Sequence, residues 1–292
     1  VNKAVLGIIG GSGIYDLPGL ANVREEHIKS PWGEPSGSLR IGDIGGLPVV
    51  FLARHDKGHR LSPSDINYRA NIDILKRVGV TDLVSLSACG SFKEDLPPGT
   101  FVLIDQFVDR TYRRESSFFG KGLVAHVSMA HPVSPVLRRR LRDAARAEGM
   151  EPKWGGTYVC MEGPQFSTLA ESMTYKELGY SVIGMTNMPE AKLAREAEIC
   201  YATVAMVTDF DCWHPEHDAV TVQDIVQVLS TNADRAQRLV ARLAADLPRE
   251  HEECPIGSDR ALDSALITQP EYRDPELIKK LDAVAGRVLQ AI

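Results

Sequence analysis

The sequence predicts an α/β protein, on two patterns and one placement. Short apolar runs at residues 4–9, 49–53, 83–86 and 199–207 read as buried strands. Between and after them, residues 68–78, 136–148, 168–178 and 221–243 repeat their apolar side chains at helical spacing. Polar, glycine-rich clusters fall just past the strands, where open α/β sheets bind ligands.

The 292 residues suffice for a substantial core, and no composition shift or linker divides them. A single domain over residues 1–292 is expected, with a C-terminal helical segment at about 248–292. Hydrophobic content of 43% and charged content of 25% are those of a globular protein. The net charge of -6 gives no reason to expect a polyanion partner. Five cysteines without a C-x-x-C pair suggest neither a zinc site nor a disulfide framework, but buried thiols in a reducing compartment. Cys212 has acidic and aromatic neighbours and no cation to favour a thiolate. No secretory core or membrane-length apolar run is present, so a cytoplasmic protein is expected.

The first strand ends in Gly10, Gly11, Ser12 and Gly13. The spacing fits neither a dinucleotide fingerprint nor a Walker loop, and leaves an anion nest with one hydroxyl as the alternative to a plain turn. Residues 18–48 are rich in Gly and Pro, with a strand at 39–44. Arg54 and His55 fall just past the strand at 49–53, followed by charged residues and His59. Ser87 follows residues 83–86, beside Ala88 and Gly90. Residues 101–104 form a further strand. Residues 111–132 read as an ordered excursion. Its His126 and His131 lack a local third metal ligand, which favours an interface or packing role.

The helix at 136–148 carries five arginines between Arg138 and Arg146. Asp143 and Glu148 interrupt them, so a solvated face is a better reading than a nucleic-acid surface. A strand at 156–161 leads to E-G-P-Q-F-S, where Phe166 is either a stacking aromatic or a core residue. The chain is organised around residues 183–213. A strand at 181–185 ends in Met185 and Thr186, and a helix starts near Pro189 and Glu190. The buried strand at 199–207 then runs into T-D-F-D-C-W. If extended geometry persists through Phe210, Asp209 and Asp211 point to one side. The helix at 221–243 opens on a Thr221 cap with Asp224 three positions on, and its apolar stripe begins with Val222, Ile225 and Val226. Two short helices are expected to close the chain.

Hydroxyls, backbone amides and one guanidinium at four strand ends suit an anion such as phosphate. The carboxylate pair and nearby apolar residues describe a second, less charged ligand. The motifs G-I-I-G-G-S-G, A-R-H, S-A-C-G-S, I-D-Q-F-V-D-R-T, E-G-P-Q-F-S, G-M-T-N-M-P-E and V-T-D-F-D-C-W go further. Together, over roughly residues 4–245, they resemble the 5'-methylthioadenosine phosphorylases of the trimeric purine nucleoside phosphorylase family. The resemblance implies a three-layer α/β/α fold with a twisted mixed sheet. It also implies a homotrimer with sites near subunit interfaces, and no metal or other cofactor. Inorganic phosphate is then a co-substrate that cleaves the N-glycosidic bond.

On this resemblance Ser12, Arg54, His55, Ser87 and Thr186 form the phosphate shell. Ser12 and Ser87 stand where many relatives carry threonine. Ala88, Phe166 and Met185 contact the nucleoside. Val222, Ile225 and Val226 line the methylthio end, and His126 reaches it from a neighbouring subunit. Asp209 is the general acid at N7, and Asp211 orients the 6-amino group. A carboxylate accepts from an amino group but opposes a 6-oxo group, which sets methylthioadenosine above methylthioinosine or other 6-oxopurine nucleosides. A hydrolase, a noncatalytic binding protein and a nucleic-acid binder are the remaining alternatives. None accounts for both the anion shell and the carboxylate pair.

Overall fold

A computed structural model of the chain describes residues 2–11, 17–215 and 221–289. Ser12 lies outside the described residues. The centre of the fold is a parallel trio, β4 (Leu47–Ala53), β1 (Leu6–Gly10) and β5 (Asp82–Ser91). All five residues of β1 are buried, as a near-continuous apolar run requires. On the outer side, β3 (Leu39–Ile44) and β2 (Ala21–Glu26) add antiparallel strands. At β5 the sheet branches. The last residues of β5 pair antiparallel with β10 (Val182–Gly184), which continues in parallel to β9 (Thr157–Cys160) and β7 (Gln106–Asp109). The other edge of β5 pairs in parallel with β11 (Cys200–Asp209), which also carries β6 (Phe101–Leu103) and, through it, the short β8 (Lys153–Trp154). The sheet is therefore mixed.

Helices cover both faces. On one side α1 (Tyr68–Arg77), α4 (Asn187–Glu196) and α7 (Asp282–Leu289) pack around Ile72, Leu193, Leu281 and Val284. The chain's closing helix thus belongs to the same core as β1. On the other side α2 (Pro135–Ala147) and α5 (Val222–Asp246) bury Leu137, Leu141, Leu239 and Leu243 against β11. Sheet and helices make the expected three-layer α/β/α arrangement. The peripheral α3 (Leu169–Glu177) starts with a full capping box of Thr168 and Glu171, and α6 (Pro275–Lys280) precedes α7.

The structure departs from the sequence reading at three elements, β5, β11 and α5. β5 runs to Ser91, so Ser87, Ala88 and Gly90 lie within the strand and not past it. Pairing with β11 and β10 sustains the extension through small residues that have weak strand preference by themselves. β11 stops at Asp209, and Asp211 has a φ of 53° in a turn, so the two aspartates do not share a strand face. In α4, by contrast, regular helix begins at Pro189 as expected, preceded by an N-cap at Thr186 and by Met188 with extended angles. In α5 the buried residues begin at Asn232, while the first turns stand out in solvent. Polar edge strands such as β2 and β7 carry no period-2 apolar pattern and escaped the sequence reading.

The arginine-rich α2 is bound to acids and an aromatic ring. Arg140 pairs with Glu252 at 2.8 Å, Arg146 with Glu151 at 2.6 Å, and Arg138 stacks on Trp154 at 3.7 Å. No described helix is long and apolar enough to cross a membrane.

Candidate active site

The C-terminal ends of β4 and β10 meet the middle of β5 and the end of β11 meets its last residues, and each brings one part of a site. Arg54 follows β4 and is only 1% exposed. Its Nε donates to Glu190 Oε2 at 2.8 Å and its Nη2 to Glu190 Oε1 at 3.0 Å, an ion pair buried from both sides. Nη2 also donates to Ser85 Oγ at 2.6 Å, and Nη1 to the Leu86 carbonyl at 3.2 Å. Burial alone would favour loss of the proton, but the Glu190 charge and hydrogen bonds raise the Arg54 pKa above its ordinary value. Asn187 at the start of α4 donates to the same Ser85 hydroxyl at 2.9 Å, and Tyr201 Oη donates to Glu190 Oε1 at 2.8 Å.

His55 is buried beside Arg54. Its Nδ1 lies 2.9 Å from the Leu61 carbonyl, which can only accept, so Nδ1 carries a proton and the neutral ring presents a lone pair at Nε2. Burial pushes the pKa down to about 4, with the Arg54 charge adding to it. His59 stacks on His55 with ring centres 4.1 Å apart.

Ser87, in the middle of β5, has its hydroxyl 3.0 Å from Tyr158 Oη. That contact crosses β10 at Gly184, where any side chain would be impossible: a Cβ there would stand 1.8 Å from the tyrosine oxygen. Thr186 is buried at the mouth of α4 and does not use its hydroxyl as a helix cap. Glu190, in the first regular turn of that helix, is what reaches Arg54.

The Met185 and Thr186 turn is held by Arg114. Its Nη1 donates to the Met185 and Met188 carbonyls, both at 2.6 Å, and its Nη2 to the Glu162 carbonyl at 2.8 Å. In the sequence Arg114 is one of several arginines in an exposed-looking run. Nothing local distinguishes it, and only its burial between two loops marks it out. Glu190, Tyr158 and Asn187 were missed as site residues for the same reason.

The aspartates lie on either side of Gly90. A Cβ at that position would fall 2.7 Å from Asp209 Oδ1 and 3.3 Å from Asp211 Cβ, so β5 approaches both with no space left. The turn brings the two together without a shared strand. Asp209 Oδ1 accepts the Asp211 backbone N–H at 2.8 Å, and its Oδ2 accepts the Thr208 hydroxyl at 2.6 Å. Asp211 Oδ2 is buried without a close hydrogen-bond partner among the described residues, although the Ser172 and Ser167 hydroxyls lie near enough to the carboxyl to oppose the rise in its pKa. Burial raises the pKa of both carboxyls, and the Asp209 charge adds to the shift of Asp211. Burial, more than the like-charged neighbour, is thus what favours the protonated form.

The expected nucleoside contacts are less gathered. Ala88 and Met185 are partly buried next to the convergent strand ends, whereas Phe166 is 41% exposed. Val222 and Val226 are 66% and 57% exposed, so they do not wall a pocket within this chain. The excursion at 111–132 is ordered: Glu196 accepts the Ser117 hydroxyl and the Phe118 N–H, both at 2.7 Å, and Phe118 and Leu123 are buried. His126 is exposed on it, with its backbone N–H donating to the Ala265 carbonyl at 2.9 Å. Of the five cysteines, all free thiols, only Cys212 is not fully buried.

A buried arginine, a neutral histidine, hydroxyls and a carboxyl pair gathered around β5 have the chemistry of a polar ligand site on an α/β scaffold. The chain belongs to the Phosphorylase superfamily, which it matches over residues 5–245. It is 81% identical over 290 residues to the S-methyl-5'-thioadenosine phosphorylase of Bradyrhizobium diazoefficiens, covering 99% of this chain and 100% of that one. The enzyme of the same name from Cereibacter sphaeroides is 60% identical, with 99% of each chain covered. Among solved structures, a methylthioadenosine phosphorylase from an antarctic soil metagenomic library superposes with a TM-score of 0.91 at 47% identity, covering 97% of this chain and 99% of that one. The methylthioadenosine phosphorylase of Schistosoma mansoni, solved with adenine, superposes with a TM-score of 0.81 at 36% identity, over 89% and 97% of the two chains.

Proposed function

We infer that this chain is a phosphorylase that cleaves 5'-methylthioadenosine with inorganic phosphate, releasing adenine and 5-methylthioribose 1-phosphate. The observation that carries this is end-to-end identity of 81% to a relative of that name, joined to the buried Asp209 and Asp211 pair. No resident cofactor enters the chemistry, and phosphate is the second substrate.

The roles proposed for the site residues are those the family resemblance implies. Phosphate sits among Ser12, Arg54, His55, Ser87 and Thr186, below the sugar. Positive charge grows on C1' as the bond to N9 loosens, and the phosphate charge stabilises it. The purine leaves as an electron-rich ring. Asp209, whose burial favours the protonated form, gives its proton toward N7, and the Asp211 carboxyl accepts the 6-amino group. Met185, Ala88 and Phe166 hold the nucleoside. Val222, Ile225 and Val226 cover the methylthio end, and His126 is supplied to it by a neighbouring subunit of a homotrimer. The exposure of His126, Val222 and Val226 in one chain supports a site completed by a second. The chain works as a single domain, and its five free thiols support a cytoplasmic location.

The test is base release from 5'-methylthioadenosine, adenosine, 5'-methylthioinosine and inosine, each with and without phosphate. Fast, phosphate-dependent release of adenine, best from the methylthio sugar, is expected. Preference for the inosine forms would show that the aspartates do not read an amino group. Release without phosphate would overturn the anion shell.

A further inference from the structure

We propose that Glu190 is a positioning residue of the phosphate subsite that cancels the charge of Arg54, so that bound phosphate keeps its own charge for the sugar. This rests on the reading of Arg54 and His55 as phosphate ligands. A guanidinium has five N–H donors. In Arg54 one Nε donor goes to Glu190, two Nη2 donors go to Glu190 and Ser85, and one Nη1 donor goes to Leu86. The Ile9 carbonyl also lies 3.4 Å from Nη2. One Nη1 donor remains. Arg54 therefore has one N–H left for an incoming anion, not the two-pronged fork that arginine presents to phosphate when unpaired.

The remaining charges agree. His55 is neutral and presents a lone pair, which suits the proton that a phosphate dianion still carries. Ser87 and Thr186 are uncharged. The other buried cation nearby, Arg114, lies 4.0 Å from Glu162 and spends its donors on carbonyls. Tyr201 and the Asn187–Ser85 link hold Glu190 and Arg54 in register, with Glu190 fully buried. An uncompensated arginine would bind phosphate more tightly in the ground state. It would also withdraw the negative charge that faces C1' in the transition state, and only interactions stronger in the transition state raise turnover.

Glu190→Gln tests this through the split between phosphate KM and kcat. The expected result is a phosphate KM lowered about fivefold or more with kcat lowered about tenfold or more. A raised phosphate KM, or parallel loss of both with a lowered thermal midpoint, would assign Glu190 a structural role and overturn the proposal. Tyr201→Phe leaves the carboxylate in place and is expected to keep phosphate KM within about twofold; a fall like that of Glu190→Gln would detach the effect from charge and also overturn it. Arg54→Met separates the two readings: unchanged phosphate KM there would remove Arg54 from the subsite itself, whereas a raised KM leaves only the role of Glu190 in question.

Discussion

At the scale of single residues, burial decides the chemistry. Asp209 and Asp211 are ordinary aspartates in sequence, and both are held above the usual carboxylate range because they sit away from water. The acid form is needed for the reaction, so turnover should fall as pH rises through the raised value and be retained below it. Asp209→Asn should lower turnover on 6-aminopurine nucleosides by roughly tenfold or more and remove that alkaline limb; an unaltered pH profile would take Asp209 out of the acid role. Gly90 sets the spacing between them. Gly90→Ala places a methyl 2.7 Å from Asp209 Oδ1, so a slower enzyme with a near-normal thermal midpoint is expected. Wild-type turnover would show that the aspartate can shift without consequence. The sequence marked the aspartates by their spacing, but the partners that hold the site, Arg114, Glu190 and Tyr158, have no local signature. Each acts through contacts more than 45 residues away along the chain.

At the scale of elements, two segments behave differently from their sequence pattern. The apolar stripe of α5 is continuous in sequence, yet only its later turns pack, because β11 and α2 support it from Asn232 onward. Its first turn stays exposed in the single chain, and in the proposed function it covers the methylthio end of the substrate. Val222→Ser with Val226→Ser should therefore leave the thermal midpoint unchanged and shift the ratio of kcat/KM by about tenfold from methylthioadenosine toward adenosine. A lower midpoint with constant ratio would make these residues part of the fold. The segment after α5 is tied back to the sheet by His251, whose Nδ1 lies 2.9 Å from Asp82 Oδ2 and whose Nε2 lies 3.4 Å from Asp259. Burial opposes the charge of His251, but the two carboxylates raise its pKa above 6.5. The stabilisation is then fully present below the ordinary histidine value and lost as pH rises through the folded-state value. His251→Gln should lower the thermal midpoint by a few degrees at about pH 6 and by less at about pH 9. An equal deficit at both would remove the ion pair as its cause.

For the whole molecule, large apolar side chains remain exposed on loops and on the first turn of α5: Tyr112, Tyr272, Ile267 and Val222 are each more than 60% accessible. Such surface suits burial against further copies. Sedimentation is expected to give a species of three chains, and a monomer at working concentration would leave His126 without a site to complete.

The sequence by itself determined the strand and helix alternation, the motifs at strand ends, and through them the family and reaction. These depend on local periodicity and on residue types that the chemistry demands. Only the tertiary structure decided that β5 continues through Ser87 to Ser91, that a turn brings Asp211 beside Asp209, and that Glu190 answers the charge of Arg54. For β5 and for Arg54 the partner is distant in sequence, and the two aspartates, only two residues apart, are set against Gly90 of the distant β5. Strand extension, pKa and charge balance are set by what lies across the contact, which no local pattern records.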